Sequence, residues 1–244
     1  MVATVMGSDA AHLLPVVDCQ LAAARQVLLQ ISAKSTSLSA AYSTPGQYVK
    51  LALPTGDARE GGGVPRTYAI ASPPGQENIE LLLKVPQEHV APLLALGPGD
   101  RVSVSGPQGH GFPMEKIKGK SLWLFAVGSA IAPVRAVIEH LLPRRGELHD
   151  VTLLYGVRDP SELAFAARFG AWAGHGVRVV PIVSQPGAGT WDGKTGHVQD
   201  HLPKEFDHPG TTLAFVCGLP AMDRDVSAQL LQRGVGPEQI FRNW

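Results

Sequence analysis

Arg66 and Tyr68 stand two residues apart in Arg66-Thr67-Tyr68-Ala69, on a run that reads as a strand, so both side chains leave one face and can reach one ligand. A planar guanidinium grips phosphate oxygens through paired hydrogen bonds, and a phenol ring offers stacking area with a polar tip. Further along, Gly128-Ser129-Ala130-Ile131-Ala132-Pro133 follows an apolar strand and opens a helix. That placement aims free N–H groups and the positive end of the helix at any phosphate lying there. A third segment, Cys217-Gly218-Leu219-Pro220-Ala221-Met222, ends a strand on the same edge of the sheet and carries a thiol. Each segment also has a plainer reading. These are an exposed arginine beside a core tyrosine, a strand-to-helix turn without a ligand, and a buried thiol acting as a small apolar group.

The elements that must position these residues divide the chain in two. Runs at 16–21, 26–31, 47–53, 67–71, 79–85 and 101–105 read as strands bounded by turn residues. Six at this spacing predict a closed antiparallel barrel. Gly61-Gly62-Gly63 forms a loop just before Arg66, and 93–96 reads as the end of a short helix halted by Gly97-Pro98-Gly99. After the polar connector Lys116-Ile117-Lys118-Gly119-Lys120 the period changes. Strands at 122–127, 151–155, 177–183 and 213–216 alternate with helices at 133–142, 162–173 and 221–233. This alternation predicts a doubly wound parallel sheet with helices on both faces, whose ligands bind beyond the carboxyl ends of the strands. The expected domains are therefore residues 1–118, a six-stranded barrel, and 119–244, an α/β nucleotide-binding domain.

Composition narrows the function classes. The chain has 244 residues, enough for two such domains, and 21 basic residues balance 21 acidic ones. No broad electrostatic pull toward nucleic acid or an anionic membrane is implied. Only two cysteines occur, Cys19 and Cys217, which excludes a disulfide framework and a cysteine-ligated iron-sulfur cluster built from this chain alone, and fits a reducing compartment. No apolar run approaches the roughly 20 residues needed to cross a bilayer, and a soluble protein is expected. Nine histidines lack metal-ligand spacing; His197 and His201 stand four apart without completing a site. No nucleophile elbow, phosphate-loop lysine motif or aromatic-interleaved basic patch is present.

Further stretches carry a family likeness. They include Pro45-Gly46-Gln47-Tyr48-Val49, Gly106-Pro107-Gln108-Gly109-His110-Gly111-Phe112 and Val179-Val180-Pro181-Ile182-Val183-Ser184-Gln185-Pro186. Trp191-Asp192-Gly193-Lys194-Thr195-Gly196-His197-Val198-Gln199 and the ending Ile240-Phe241-Arg242-Asn243-Trp244 complete them. With the three opening segments, the chain resembles the ferredoxin-NADP reductase superfamily over nearly its whole length. The nearest likeness is to the plant and algal fruit-protein-type FAD/NAD(P)-binding oxidoreductases.

The resemblance implies an FAD-dependent NAD(P)H oxidoreductase, with flavin on the barrel, NAD(P)H on the second domain, and hydride passing from nicotinamide to flavin. By likeness, Arg66 pairs with the flavin pyrophosphate, Tyr68 lies on the ring, Thr67 and Ala69 complete the strand, and Lys84 and Val85 lead into the FAD-phosphate loop. Gly109, Gly111 and Phe112 are further flavin-side positions. Gly128, Ser129, Ala130 and Pro133 hold the nicotinamide dinucleotide. Arg158, Ser184 and Gln185 lie where relatives choose between NADH and NADPH, and Gln185 in place of a frequent Arg leans toward NADH unless Arg158 supplies the charge. Cys217 borders the transfer site, Gly218 permits close approach, Met222 belongs to the following helix, and Trp244 stacks on the flavin or anchors the chain end. The acceptor is a separate protein, a quinone or another small molecule. A chloroplast location follows from the plant likeness, and a cytoplasmic one otherwise.

Four positions depart from the family pattern. Ala69 replaces a hydroxyl residue. Glu88 and Ala91 lie in Pro86–Pro92, where relatives carry Gly followed by Ser or Thr. Ala130 replaces the second glycine of Gly-x-Gly-x-x-Pro, at a cost of roughly 1 to 2 kcal/mol if the position needs a positive φ. These departures support a second reading, a cofactor-deficient reductase-like subunit serving as a structural or binding module.

Overall fold

Two strands with one alternating pattern organise the molecule. β1 (His12–Ala23) is followed by β2 (Gln26–Ser32), and β2 pairs antiparallel with β5 (Asn78–Lys84), setting Gln26 against Lys84 and Ile31 against Ile79. Side chains alternate across a strand. Val27, Leu29, Ile31, Ile79, Leu81 and Leu83 point inward and are buried together. Leu28 and Leu82, on the opposite face, join a different core cluster, the one that includes α/β residues such as Leu124 and Ile131.

β3 (Tyr48–Ala52), β4 (Arg66–Ala69) and β6 (Arg101–Gln108) complete a six-stranded antiparallel sheet in the order β4-β3-β6-β1-β2-β5. It closes where Ile70 bridges Leu81 and the Ala71 N–H donates to the Glu80 carbonyl at 2.7 Å. The long β1 turns a corner to reach both neighbours: His12–Pro15 pairs with β6 and Val16–Ala23 with β2, with register shifts at Val16/Asp18 and Leu21/Ala23. The predicted barrel is therefore the observed one. Helices α1 (Ser37–Ala41) and α2 (Val90–Leu94) add Leu38, Val90 and Leu93 to its core. The helix expected at 93–96 begins earlier, with a 3-10 turn at Gln87–His89 leading into α2.

The second half is a parallel sheet of β7 (Ser121–Val127), β8 (Val151–Val157), β9 (Val177–Val183), β10 (Lys194–Thr195), β11 (Thr212–Cys217) and β12 (Ile240–Phe241). The order is β10-β9-β8-β7-β11-β12. Strand order runs outward from β7 on one side and then returns to its other side, so the switch point lies between β7 and β11, where Ala126 is opposite Cys217. Helices α3 (Ile131–Leu141), α4 (Phe169–Gly174) and α5 (Pro220–Gln232) accompany it. The computed structural model describes residues 11–54, 62–187, 189 and 191–243. Among these, no helix is long and apolar enough to cross a membrane.

One expected element is different. The helix read over 162–173 is broken into 3-10 turns at Pro160–Glu162 and Ala166–Arg168 before α4, with Phe165 at φ +61° between them. Tertiary contacts override helix propensity here. Glu162 is buried between Arg25 and Lys84 of the barrel, and the Ala164 N–H donates to the Glu162 carbonyl at 2.9 Å and to the Tyr155 hydroxyl at 3.3 Å, not to the carbonyl four residues back that an α-helix would use.

Candidate functional site

The switch point of a doubly wound sheet leaves a crevice outside the strand ends, because the following loops diverge there. Here β7 runs into Gly128–Ala130 and β11 into Gly218, and both loops open toward β4 of the barrel. The result is a cleft of about 340 Å³ in which all three segments meet. Its walls are Thr67, Tyr68 and Ala69 from one side, Val127, Ser129, Ala130 and Pro133 from another, and Cys217, Gly218 and Leu219 from the third. Leu82 of β5 lies among them. A second cavity of about 430 Å³ is lined by Arg66, Tyr68, Val85, Pro86 and His89, with apolar walls that include Leu51, Val64 and Leu93. Tyr68 borders both, so the two spaces meet at its ring. Burial raises the Tyr68 phenol above its ordinary value, with the nearby Arg66 charge opposing that shift.

The backbone explains which glycines matter. Gly128 adopts the left-handed conformation at φ +54°, whereas Ala130 is right-handed helical at φ −67° and ψ −5°. The expected strain at Ala130 is therefore absent; its side chain packs against the core while still bordering the cleft. At Gly218 a Cβ would lie 2.5 Å from both Met222 Cε and Val127 Cγ2, so glycine keeps the loop from being pushed into the cleft.

Cys217 is 5% exposed. Its thiol donates to Asn243 Oδ1 at 3.4 Å, and Asn243 Nδ2 donates to the Gly46 carbonyl of the barrel at 3.1 Å. Burial pushes the thiol up to about 12, so it is a neutral wall rather than a nucleophile. Asn243 was not singled out from sequence, where a lone amide near a chain end carries no signal. Lys84 lies 3.5 Å from Glu162 Oε2, and its Nζ is 3.8 Å from where a Gly128 Cβ would stand. It thus bridges the barrel to the Gly128 loop.

Other expected positions fall outside the cleft. Phe112 is fully buried and stacks on Phe215 with ring centroids 4.6 Å apart, so it is a core plug and not a cofactor contact. Gly109 and Gly111 belong to the same turn: a Cβ at 111 would lie 2.6 Å from the Pro45 carbonyl, and one at 109 would meet the Tyr48 ring at 2.8 Å. Met222 is buried beneath Gly218 rather than open to the cleft. Glu88 is exposed and is not among the residues that line the Arg66 cavity. Arg158, Ser184 and Gln185 sit together at the ends of β8 and β9: the Ser184 N–H donates to the Val157 carbonyl at 3.0 Å, and Arg158 Nε donates to Gln185 Oε1 at 2.7 Å. Trp244 lies outside the described residues.

Residues 124–228 match the oxidoreductase NAD-binding domain family. The chain is 30% identical over 227 residues to fruit protein pKIWI502 of Actinidia deliciosa, an alignment that spans 88% of this chain and 70% of that protein. The chain belongs to the ferredoxin-NADP reductase superfamily. The chain is also similar to sulfhydrogenase 1 subunit gamma of Pyrococcus furiosus, 29% identical over 81% of this chain and 66% of that subunit. The chain thus spans about two thirds of the length of these relatives. Among solved structures, the fold superposes with a TM-score of 0.74 on a ferredoxin NADP+ reductase from Neisseria gonorrhoeae with bound FAD and NADP, at 22% identity, covering 95% of this chain and 97% of that one. FAD and NAD(P)H are the cofactors of the superfamily, whose members are electron-transferring reductases.

The state of Cys217 is directly measurable. In a Cys19→Ser variant at pH 8, iodoacetamide should label Cys217 about a thousandfold more slowly than it labels the denatured chain, because burial keeps the folded thiol protonated up to about 12. Because only the unfolded thiol ionises between pH 9 and 12, this group also lowers stability as pH rises through that window. Equal labelling rates in the folded and denatured chains would show an ionised, accessible thiol instead.

Proposed function

We propose that the chain is an FAD-dependent NAD(P)H oxidoreductase in which residues 1–118 hold the flavin and residues 119–244 the nicotinamide dinucleotide. The observation that carries this reading is the meeting of the Arg66, Gly128 and Cys217 segments in one cleft at the switch point of the parallel sheet. The fit of the cofactors is supported by the backbone: Gly128 is left-handed, and Gly218 holds a place that a Cβ would overfill. Hydride acceptance and onward electron release are chemistry that bound FAD supplies.

The protein's own residues bind and orient. Arg66 offers its fork to a pyrophosphate, and Tyr68 offers a ring at the junction of the two cavities. Gly128, Ser129 and the start of α3 present N–H groups to a second pyrophosphate, with Lys84 beside them. Cys217, neutral and hydrogen-bonded to Asn243, forms part of the far wall. No hydroxyl stands at Ala69, so its backbone N–H is left to serve at the flavin edge. Cys19 and Cys217 cannot build a cluster, so the electrons pass to an acceptor outside residues 1–244. The likeness to a hydrogenase gamma subunit favours a protein acceptor.

Donor choice rests on Arg158. Gln185 holds its guanidinium at the strand ends, while Asp159 is turned to Ser161, whose hydroxyl and N–H bonds hold that carboxyl below its usual range. A cation presented there supports acceptance of a 2′-phosphate and reverses the lean drawn from Gln185. The Arg158→Ala variant is expected to lose about tenfold in kcat/KM for NADPH, with NADH changed less than threefold, corresponding to about 1.4 kcal/mol. Equal losses for both donors would place Arg158 away from the 2′ position.

Colour tests the flavin assignment. Purified protein should be yellow and release FAD on denaturation, and Arg66→Ala should weaken FAD binding by about 10- to 100-fold, as expected for lost charge-assisted hydrogen bonds. A chain that stays colourless after incubation with FAD is the cofactor-deficient subunit, and the enzyme reading fails.

A further inference from the structure

The outward face of β5 carries Glu80, Leu82 and Lys84 at two-residue intervals, so all three point at the second domain. Leu82 lines the cleft itself. Glu80 and Lys84, which flank it, are each bound by a different element of the second domain. At the Lys84 end, the buried Glu162 carboxylate receives Lys84 at 3.5 Å and Arg25 at 2.5 Å, and the Glu162 carbonyl accepts from Gln26 Nε2 at 2.8 Å. At the other end stands Arg135, one turn into the helix that opens with the Gly128 loop.

Arg135 is 2% exposed and has several simultaneous contacts. Its Nη2 donates to Glu80 Oε2 and its Nε to Glu139 Oε1 at 2.9 Å. Its guanidinium carbon lies 4.6 Å over the Phe165 ring, and Arg168 reaches the same Glu139 oxygen at 3.1 Å. Glu80 stands where the extension of β4 meets β5, since its carbonyl accepts the Ala71 N–H that closes the barrel. One guanidinium therefore ties the seam of the strand bearing Arg66 and Tyr68 to the helix that follows the Gly128–Ala130 turn.

Stability alone does not account for this arrangement. A buried ion pair costs so much desolvation that apolar replacements often match it, and Nη1 of Arg135 is buried without an acceptor among the described residues. A rigid planar fork, held in two hydrogen bonds and a ring contact, instead fixes orientation. Orientation is what transfer between two separately bound ligands demands, because a misplacement of about 1 Å costs on the order of a hundredfold in rate.

We propose that Arg135 is a positioning residue that, through Glu80, sets the spacing of the two walls of the cleft and so governs hydride transfer. The proposal rests on the oxidoreductase reading for its kinetic consequence but not for its structural one. Lysine at 135 keeps the charge but loses the fork. In the full chain, Arg135→Lys should retain FAD and hold KM for NADPH within threefold, while the anaerobic rate of flavin reduction falls about 10- to 100-fold. Glu80→Gln should behave alike, and the double variant should lose no more than either single one. Without any nucleotide, hydrogen exchange should quicken in β5 and α3 of both variants. Unchanged reduction in Arg135→Lys, or a loss confined to KM or FAD content, overturns the positioning role. If the wild-type chain takes up no flavin, the oxidoreductase reading fails separately. The exchange measurement then still decides the clamp, and wild-type protection in Arg135→Lys overturns it.

Discussion

Everything at the cleft depends on β5 having two working faces. Side chains on a strand alternate with period two, so Ile79, Leu81 and Leu83 can seal the barrel only if Glu80, Leu82 and Lys84 face the other way. The second domain supplies what that outward face needs. It covers Leu82 with apolar side chains and gives Glu80 and Lys84 partners of opposite charge. A one-residue slip of β5 would turn leucines out of the barrel core and charges into it. Barrel closure and domain docking are therefore set by the same register, and the cleft is the gap that remains between them.

The chemistry follows from where chain ends meet. Strand-to-helix and strand-to-loop transitions after β7 and β11 adjoin because those strands pair, and β4 lies across from them because it closes against β5. No single residue brings the three segments together. Tyr68 at the junction of two cavities, the left-handed Gly128 and the neutral thiol of Cys217 are separate consequences of one topology.

Much of this was legible in the residues. The short runs bounded by turn residues before Pro113 and the shift to strand-helix alternation after Lys120 foretold both sheets, and the cleft contains the segments whose residue types suit phosphate and ring binding. What could not be read was decided by long-range contacts. The helix expected at 162–173 breaks because Glu162 is drawn to Arg25 and Lys84. Ala130 looked like a strained replacement, but strain depends on a dihedral angle, and the positive φ belongs to Gly128. Phe112, in a stretch resembling a flavin-side motif, is itself buried in the core and stacks on Phe215. Asn243 and Arg135 bridge the domains through polar groups whose partners are more than fifty residues away in sequence, a distance no local pattern reports.

The central claim is that the cleft holds FAD in line with a reduced nicotinamide. Anaerobic titration of the FAD-loaded chain tests it most directly. One equivalent of NADPH or NADH should bleach the visible flavin absorbance fully, within a single binding event. Retention of the oxidised spectrum with excess of either nucleotide, in protein shown to carry FAD, would contradict the account.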